Sequence, residues 1–575
     1  MQPVTVRRWL ARGGEPEVGA VATLAQRLGI RPLTARALCL RGICDETAGR
    51  DYLDGRLSAL PDPFLLSGMA PAVARLLRAV QRGERIAIHG DYDVDGVSGT
   101  VLLVEALRSF GAEVESFIPL RLRDGYGLSA EALERAAAAG ARVVVSVDCG
   151  IAAVGEAARA QELGLDLIIT DHHLPGHHLP AAYAVINPHL EGSAFPYTSL
   201  AGVGVAFMLL VGLRKALREA GHFAAGAEPD LRPSLDLVAL GTIADIVPLT
   251  GVNRLLTRHG LTQMNKRCRA GLAALMLVAG VKEANCGAVG FGLAPRLNAA
   301  GRLEDAALGV ELLLTKEKDL AAALAARLDG INRERREVEQ ETFAQAVARL
   351  EEGNEGGAHS IVLADARWHA GVIGIVASRL VERYHRPTVL IALTAALGKG
   401  SARSIVGFHL HAALERCRHH LGGFGGHAMA AGVSLAADEV AAFAASFEAV
   451  AGEALSAADL LPRLWHDGEL LLAELDRQSV EELATLAPFG AGNPEPAFLL
   501  RGVRVQQPRL LQEKHLKFTA RQGGDSLPCI AFGMAGRQQE LVGELDLLVT
   551  PQLNLWQGRT EVQLRIRDLR TATAD

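Results

Sequence analysis

Between residues 85 and 171 the chain alternates between two rhythms of apolar and polar positions. Short, continuous apolar runs occur at Arg85–His89 (RIAIH), Glu113–Pro119 (EVESFIP), Arg142–Asp148 (RVVVSVD) and Asp166–Asp171 (DLIITD). The segments between them, GTVLLVEALRSFG, LSAEALERAAAAG and IAAVGEAARAQELG, carry helical spacing and end in glycine. Strand–helix–strand alternation of this kind predicts a parallel sheet covered on both faces. Residues 17–82 read as short helices leading into that sheet. Residues 200–280 read as mainly helical, with one further strand-like run, SLDLVALGTIADIVPL.

The pattern then changes twice. Residues 316–352 form one charged, helix-favouring stretch with Leu320, Leu324, Leu328 and Ile331 on one stripe, either a surface helix or a connector. After the punctuating EEGNEGG, a second α/β unit is expected from HSIVLAD, GVIGIVASRLVERY and RPTVLIAL. From residue 463 strand-like runs dominate: LLLAEL, FLLRGVRVQQ, HLKFTAR, LPCIAFG, LDLLVTPQLNLW and TEVQLRIRDL. A terminal unit of ~110 residues with that pattern suits a small all-β barrel such as the OB fold. The expected divisions are a helical segment at 1–65, a catalytic α/β domain at 66–310, a connecting helix at 311–352, a smaller α/β domain at 353–456 and the barrel at 457–575.

Composition narrows the class. With 49% hydrophobic and 22% charged residues over 575 positions, the chain is neither disordered nor collagenous. No apolar run approaches the ~20 residues that span a bilayer. The opening MQPVTVRRWLARGG lacks a secretory apolar segment, so a cytoplasmic protein without membrane contact is expected. The 7 cysteines are scattered singly, against both a disulfide framework and a zinc knuckle. A formal net charge of −6 and 5% aromatics argue, on their face, against a polyanion partner.

The distribution of the acids reverses that impression. HGDYDVDGVSG sets His89, Asp91, Asp93 and Asp95 within seven positions after a buried-looking strand, their alternation pointing the carboxylates to one side of an extended chain. Two more strands lead into Asp148-Cys149-Gly150 and Asp171-His172-His173, and Asp245 follows the fourth apolar run. Ligand crevices of open α/β sheets lie beyond the carboxyl ends of the strands, so these groups converge on one rim. Such acid density is self-repelling unless a cation or a hydrogen-bond network compensates it. Oxygen-rich ligation with some imidazole suits Mn2+ or Mg2+, and the number of carboxylates suits two ions sharing a bridging ligand. Any single aspartate of this kind is more often a helix cap; the joint pattern is not.

H-x-D-x-D-x-D-G, D-C-G, D-H-H and the later Asp245 resemble the four motifs of the DHH phosphoesterase superfamily. AGVG (201–204), APRLNAAGR (294–302), WHAGVIGIVASR (368–379), GSARS (400–404) and FGGHAMAAG (424–432) extend the likeness, over essentially the whole chain, to the bacterial single-strand-specific 5′→3′ exonucleases of that superfamily. The resemblance implies a parallel-sheet DHH domain and a smaller α/β DHHA1 domain joined by a long helix, plus an OB-like barrel. It implies one metal on His89, Asp93 and Asp148 and a second on Asp95, Asp148, His172 and Asp245, with Asp148 bridging. Asp91 belongs to the motif without an assigned contact. Asp171 is expected to orient the histidine after it, and His173 to touch the scissile phosphate or assist proton transfer.

DNA contacts implied by the same likeness are Ser401 and Arg403, Gly425, Gly426 and His427, His369, the arginines and asparagine of PRLNAAGR (Arg296, Asn298 and Arg302), and Arg121. On the barrel, Arg504 and Lys517 stand among Arg501, Arg509, Lys514 and Arg521 as a basic groove, with Phe518 and Trp556 as candidate stacking residues that β-strands more often bury. The implied activity is hydrolysis of single-stranded DNA from its 5′ end to 5′-mononucleotides by two-metal activated water, in recombination and repair. A cleft between the two α/β units, too narrow for duplex, is the expected source of strand selectivity. The implied partners are single-stranded DNA, a single-strand DNA-binding protein and a RecQ-type helicase, with the enzyme a monomer. Two other readings remain: a phosphodiesterase for small molecules or short oligonucleotides, and a non-catalytic replication scaffold. The barrel and the GSARS and GGH segments count against the first, and the filled motif positions against the second.

Overall fold

The computed structural model describes residues 6–14, 16–119, 127–353, 356–556 and 558–572. After a short strand β1 (Arg8–Ala11), three helices, α1 (Val18–Leu28), α2 (Pro32–Cys39) and α3 (Glu46–Asp54), precede the sheet. The sheet domain runs α4 (Met69–Arg82), β2 (Ile86–Gly90), α5 (Val94–Ser109), β3 (Val114–Phe117), α6 (Ala130–Ala138), β4 (Val143–Val147), α7 (Val154–Glu162), β5 (Asp166–Thr170) and β6 (Ala184–Ile186). Its strands order as β3-β2-β4-β5-β6, and every pairing is parallel. Strands β2 and β4 are buried along their whole length, which is why they read as unbroken apolar runs rather than alternating ones. Each buried aliphatic side chain there, such as Ile86, Ile88 or Val145, contributes ~1.5–3 kcal/mol. The chain leaves β2 for β3 on one side and returns to β4 on the other, so the switch point of the sheet lies between β2 and β4.

A helical layer follows: α8 (Gly202–Glu219), α9 (Leu235–Ala244), α10 (Gly251–Asn265), α11 (Ala270–Val278), α12 (Ala294–Leu303) and α13 (Ala307–Leu314). The run SLDLVALGTIADIVPL, expected as strand-like, is the helix α9 instead. Residues Leu235 to Ile243 are all buried, so the helix is apolar on every face and shows no stripe to betray its period. α14 (Lys318–Glu351) is the long charged helix, with Leu324, Leu328 and Ile331 buried and Leu320 partly exposed.

The second α/β segment comprises β7 (Ile361–Asp365), α15 (Ile373–Tyr384), β8 (Thr388–Leu393), β9 (Leu397–Arg403), α16 (Leu410–Arg416), β10 (Gly423–Gly426), β11 (Ala430–Ala436) and α17 (Val440–Ala454). Its sheet orders β10-β11-β9-β8-β7, with β7 and β8 parallel and the other pairs antiparallel. After β12 (Arg463–His466) and α18 (Arg477–Ala484), the strands β13 (Phe498–Leu511), β14 (His515–Gln522), β15 (Asp525–Ala531), β16 (Glu544–Trp556) and β17 (Arg559–Thr571) close a barrel. LLLAEL, expected as a strand, forms a 3-10 turn at Leu472–Glu474.

Two compact units emerge: Ala11–Gly301 with Asp305–Leu328 and Trp465–Asp575, and Met1–Leu10 with Arg302–Glu304 and Asp329–Leu464. Within the first, α1 and α2 do not simply lead into the sheet. Leu24, Ala35 and Leu38 share one core with Leu472, Leu486, Phe498, Leu516 and Phe518 of the barrel segment. Among the described residues no single helix is long and apolar enough to cross a membrane.

Candidate metal centre and nucleic-acid contacts

The chain does not stay extended after β2. Asp91 is buried, and Asp93 caps α5, its Oδ1 accepting the N–H groups of Asp95 (2.9 Å) and Gly96 (3.1 Å). Asp95 therefore enters the first helical turn, where its Oδ2 accepts the N–H of Gly202 (2.6 Å) and its Oδ1 that of Val203 (3.0 Å). The positive end of α8 thus holds one carboxylate in place. Asp148 follows β4 in the left-handed region (φ 63), a conformation aspartate tolerates better than most residues. Gly202 is obligatory beside it, because a Cβ there would stand 2.7 Å from the Asp148 Cβ. Gly241 of α9 is equally constrained, since a Cβ there would stand 2.6 Å from Asp95 Oδ1.

Among the described residues, three sets of ligand atoms lie within 4.8 Å of one another: Asp95 with His172 and Asp245, Asp148 with His172 and His173, and Asp91 with Asp93 and Asp148. His172 Nε2 stands 3.0 Å from Asp148 Oδ1, 3.6 Å from Asp245 Oδ2 and 3.9 Å from Asp95 Oδ2. Asp148 takes part in two sets, as a bridging ligand must. His89 is buried at the end of β2 with Nε2 3.1 Å from the Gly127 carbonyl, so Asp91 accompanies Asp93 and Asp148 where the resemblance places His89.

Electrostatics explain why the cluster calls for cations. Burial, followed by the charges of Asp95, Asp93, Asp245 and Asp91, holds Asp148 well above the usual carboxylate range. Burial and Asp93 raise Asp95 to about 7 despite its helix N–H partners, and burial with Asp95 and Asp93 raises Asp245 to about 8. Burial and the neighbouring His173 charge push His172 down to about 4, so its ring is neutral. Buried Asp148 Oδ1 and His172 Nε2 make no hydrogen bond although they face each other. Carboxylate oxygens gathered around a neutral imidazole fit Mn2+ or Mg2+, whose charge reverses the local repulsion.

Asp171 plays a different part. Its Oδ1 accepts from the His172 N–H (2.7 Å) and the His173 N–H (3.0 Å) and pairs with His173 Nδ1 (2.8 Å), while Oδ2 accepts from Ile151 N–H (2.9 Å). The ring it orients belongs to His173, not to His172, the histidine directly after it. Burial alone would lower the His173 imidazole, but the Asp171 hydrogen bond and the Asp171, Asp245 and Asp93 charges outweigh it and raise it to about 9. His173 is accordingly a cation at neutral pH.

The expected DNA contacts fare unevenly. Arg121 lies outside the described residues. Asn298 Oδ1 accepts the N–H of Val94 (3.2 Å), holding the first turn of α5, and Arg296 is buried, its Nη1 donating to the Gly292 carbonyl (2.6 Å). In the second unit Arg302 Nη1 donates to the Gly371 carbonyl (3.1 Å), and exposed His369 accepts the Gly371 N–H (3.1 Å). Ser401 and Arg403 stand side by side on β9, where Arg403 Nη1 donates to Ser401 Oγ (3.2 Å). Both flank the start of α15: a Cβ on Gly374 would come within 2.8 Å of Ser401 Oγ and 3.1 Å of an Arg403 guanidinium nitrogen. Gly425, Gly426 and His427 are exposed on β10 and its turn, Gly426 at φ 140 against the Ala430 carbonyl.

On the barrel Arg504 is paired with Glu544 (2.9 Å), whereas Lys517 is half-buried opposite Arg509. Phe518 is a core residue, 3% exposed, which removes it as a stacking platform; Trp556 lies on β16 with its side chain outside the described set. Gly241, Asn187, whose amide donates to the His173 carbonyl (2.8 Å), and Arg269 carry no signature visible in one sequence. Gly202 is visible only through the AGVG segment.

A parallel sheet whose carboxyl-terminal rim presents D-x-D, D-C-G and D-H-H motifs around a candidate two-ion centre defines a DHH phosphoesterase. Matches to known families cover the DHH family N-terminal domain (85–242), the DHHA1 domain (354–453) and the RecJ OB domain (466–568). The single-stranded-DNA-specific exonuclease RecJ of Dickeya dadantii is 44% identical over 535 residues, covering 90% of this chain and 93% of that protein. RecJ of Escherichia coli is 42% identical, covering 96% of this chain and 98% of that protein. The crystal structure of RecJ from Thermus thermophilus in complex with Mn2+ matches with a TM-score of 0.85 at 34% identity, over 99% of this chain and 80% of that one. Its Mg2+ complex matches with a TM-score of 0.79 at 32% identity, over 99% and 79%. The chain belongs to the RecJ family of single-stranded-DNA-specific exonucleases.

Proposed function

We propose that this protein hydrolyses single-stranded DNA from its 5′ end, releasing 5′-mononucleotides. The observation that carries the reading is Asp148: a buried carboxyl group common to two ligand sets at the switch point of the sheet. Asp95, Asp148, His172 and Asp245 would hold one divalent ion, and Asp93 and Asp148, with His89 or Asp91, the other. Two such ions supply Lewis acidity at phosphorus and lower the pKa of water to near neutrality. The chain's own groups complete the chemistry. Asp171 keeps the His173 ring oriented and favours its protonated form, whose other N–H would donate to a phosphate oxygen as charge develops there. The α8 N-terminus and the glycines at 202 and 241 keep Asp95 from turning away.

Substrate contacts follow the same logic. Ser401 and Arg403 combine a hydroxyl, a planar fork of donors and the start of a helix, a set suited to phosphate oxygens. Arg509 and Lys517 on adjacent barrel strands would follow the backbone of the strand. The setting is cytoplasmic DNA recombination and repair, with a single-strand DNA-binding protein and a RecQ-type helicase as partners of a monomeric enzyme; family kinship supports these readings. The test uses purified protein, Mn2+ and 5′-labelled single strands. Labelled mononucleotide as the first product is expected. Long fragments that retain the label would overturn the 5′ polarity, and faster hydrolysis of a dinucleotide than of a long strand would favour a small-molecule phosphodiesterase.

A further inference from the structure

A buried ionic cluster away from the rim joins two helices of the catalytic domain. Arg269, at the start of α11, donates through Nη1 and Nη2 to Glu105 of α5 (2.7 and 3.0 Å). Through Nε and Nη2 it donates to Asp236 of α9 (2.9 and 3.3 Å), and Nη1 also reaches the Leu313 carbonyl (3.0 Å). All five guanidinium N–H groups are thereby used, in two forks onto two helices. The Arg269 side chain is 12% exposed and that of Asp236 only 7%.

The two helices run antiparallel, and their opposite ends matter for the chemistry. Glu105 lies near the end of α5 and Asp236 near the start of α9, where Arg269 joins them. At the other ends, Asp95 opens α5 and Asp245 follows α9, and Gly241 lets α9 pack against Asp95. Ten residues of helix separate Asp95 from Glu105, about 15 Å. A shift of one helix along the other by a fraction of a turn would move Asp95 relative to Asp245. Around Gly241 the contact is close packing against Asp95 and Val203, which is not directional. The Arg269 forks are directional.

We infer that Arg269 is a positioning residue for the metal centre: by clamping Glu105 to Asp236 it sets the register of α5 against α9 and so the separation of Asp95 from Asp245. The inference rests on the reading of the rim as a metal centre. The clamp bears most directly on Asp95 and Asp245, which stand on the two clamped helices; Asp93, the cap of α5, shares only the movement of that helix, and Asp148 is held after β4. Arg75 supplies the control. It is a similarly buried arginine, paired with Glu84 and with Asp166 at the amino end of β5, away from the rim.

The experiment is calorimetric titration of chelator-treated protein with Mn2+, with thermal unfolding measured in parallel, for wild type, Arg269→Gln, Glu105→Gln and Arg75→Gln. Arg269→Gln is expected to weaken the Mn2+ site of Asp95 and Asp245 by about 10-fold or more and the other site less, as loss of a supporting contact behind a ligand does. Glu105→Gln, which keeps the Asp236 fork, should show the same site selectivity in milder form and decides the matter if Arg269→Gln does not fold. Arg75→Gln should lower the Tm and leave the isotherm unchanged. Absence of Mn2+ binding by the wild type would refute the metal centre and the clamp together. Wild-type isotherms in both clamp variants, or an equal loss in Arg75→Gln, would overturn the clamp and leave the centre standing.

Discussion

The rim of the parallel sheet and the outer face of the barrel both concentrate charge of one sign, but they treat it in opposite ways. At the rim Asp95 and Asp148 are buried and Asp245 half-buried, and their ion-pair partner among the described residues is a neutral His172. On the barrel most arginines are already matched: Arg501 with Glu469, Arg504 with Glu544, Arg537 with Glu540 and Asp568, and Arg565 with Glu495. Exposed pairs of this kind stabilise by ~0–1 kcal/mol and leave little net field. Arg509, Lys514 and Lys517 have no ion-pair partner among the described residues, and Arg509 faces Lys517 directly across two strands. Like charges set opposite each other destabilise a sheet. Charge left uncompensated, rather than charge itself, marks the places where a ligand has to complete the structure.

The contrast is broken most severely by Asp148→Ala. Both ligand sets lose a member, and turnover on single strands should fall by at least ~10²–10³-fold. Turnover near that of wild type, measured with saturating Mn2+, would remove the bridging assignment. Gly241→Ala should come next, because its Cβ displaces Asp95 without altering any ligand: a loss of ~10–100-fold in Mn2+ affinity, read by calorimetry.

Acidity offers a finer probe. His173 rises from the ordinary 6.5 to about 9 and Asp245 from 3.8 to about 8, so the folded metal-free chain keeps protons that the unfolded chain has released. Both shifts are upward, so both contributions are lost as pH rises. That of His173 is full below pH 6.5 and is lost towards 9; that of Asp245 is full only below 3.8 and is lost towards 8. The contribution of His172, lowered to about 4, is constant above pH 6.5 and does not alter this trend. Thermal unfolding in chelator should show Tm falling from pH 6.5 to 9, and Mn2+ should bind more tightly as the carboxylate protons leave. A Tm that rises over this range in chelator would contradict the picture of protonated rim carboxylates. The smallest effects belong to the barrel. Replacing Arg509 and Lys517 with Ala should reduce the salt dependence of single-strand binding by about 0.7 per contact in log–log slope. Arg504→Ala, which breaks a pair, should leave that slope nearly unchanged.

Much of this architecture is legible in the residues. Strands β2, β4 and β5 are buried in a parallel sheet, and such strands stand out as unbroken apolar runs. The motif aspartates and histidines stand next to those runs, so their convergence follows from topology alone. Helix α9 escapes sequence reasoning for the opposite reason: burial on all faces erases its period. The helix stripes of α1 and α2 foretell that they will be covered, but an amphipathic stripe does not say by what. Gly241, Asn298 and Arg269 touch the centre or its supports from helices far along the chain, and no spacing rule links them to it. Whole-chain net charge misleads because it sums a buried acidic site with a surface of matched pairs.

The core that α1 and α2 share with the barrel has a consequence for how the protein is made. Helices α1 and α2 are synthesised well before the barrel strands that supply their apolar partners. At ~5–20 residues per second that interval is on the order of a minute. Until then the stripe carrying Leu24 and Leu38 stays uncovered and open to chaperones or to aggregation. A chain truncated before the barrel would remain permanently in that state, so its inactivity would report an unfinished fold before it reported lost DNA binding.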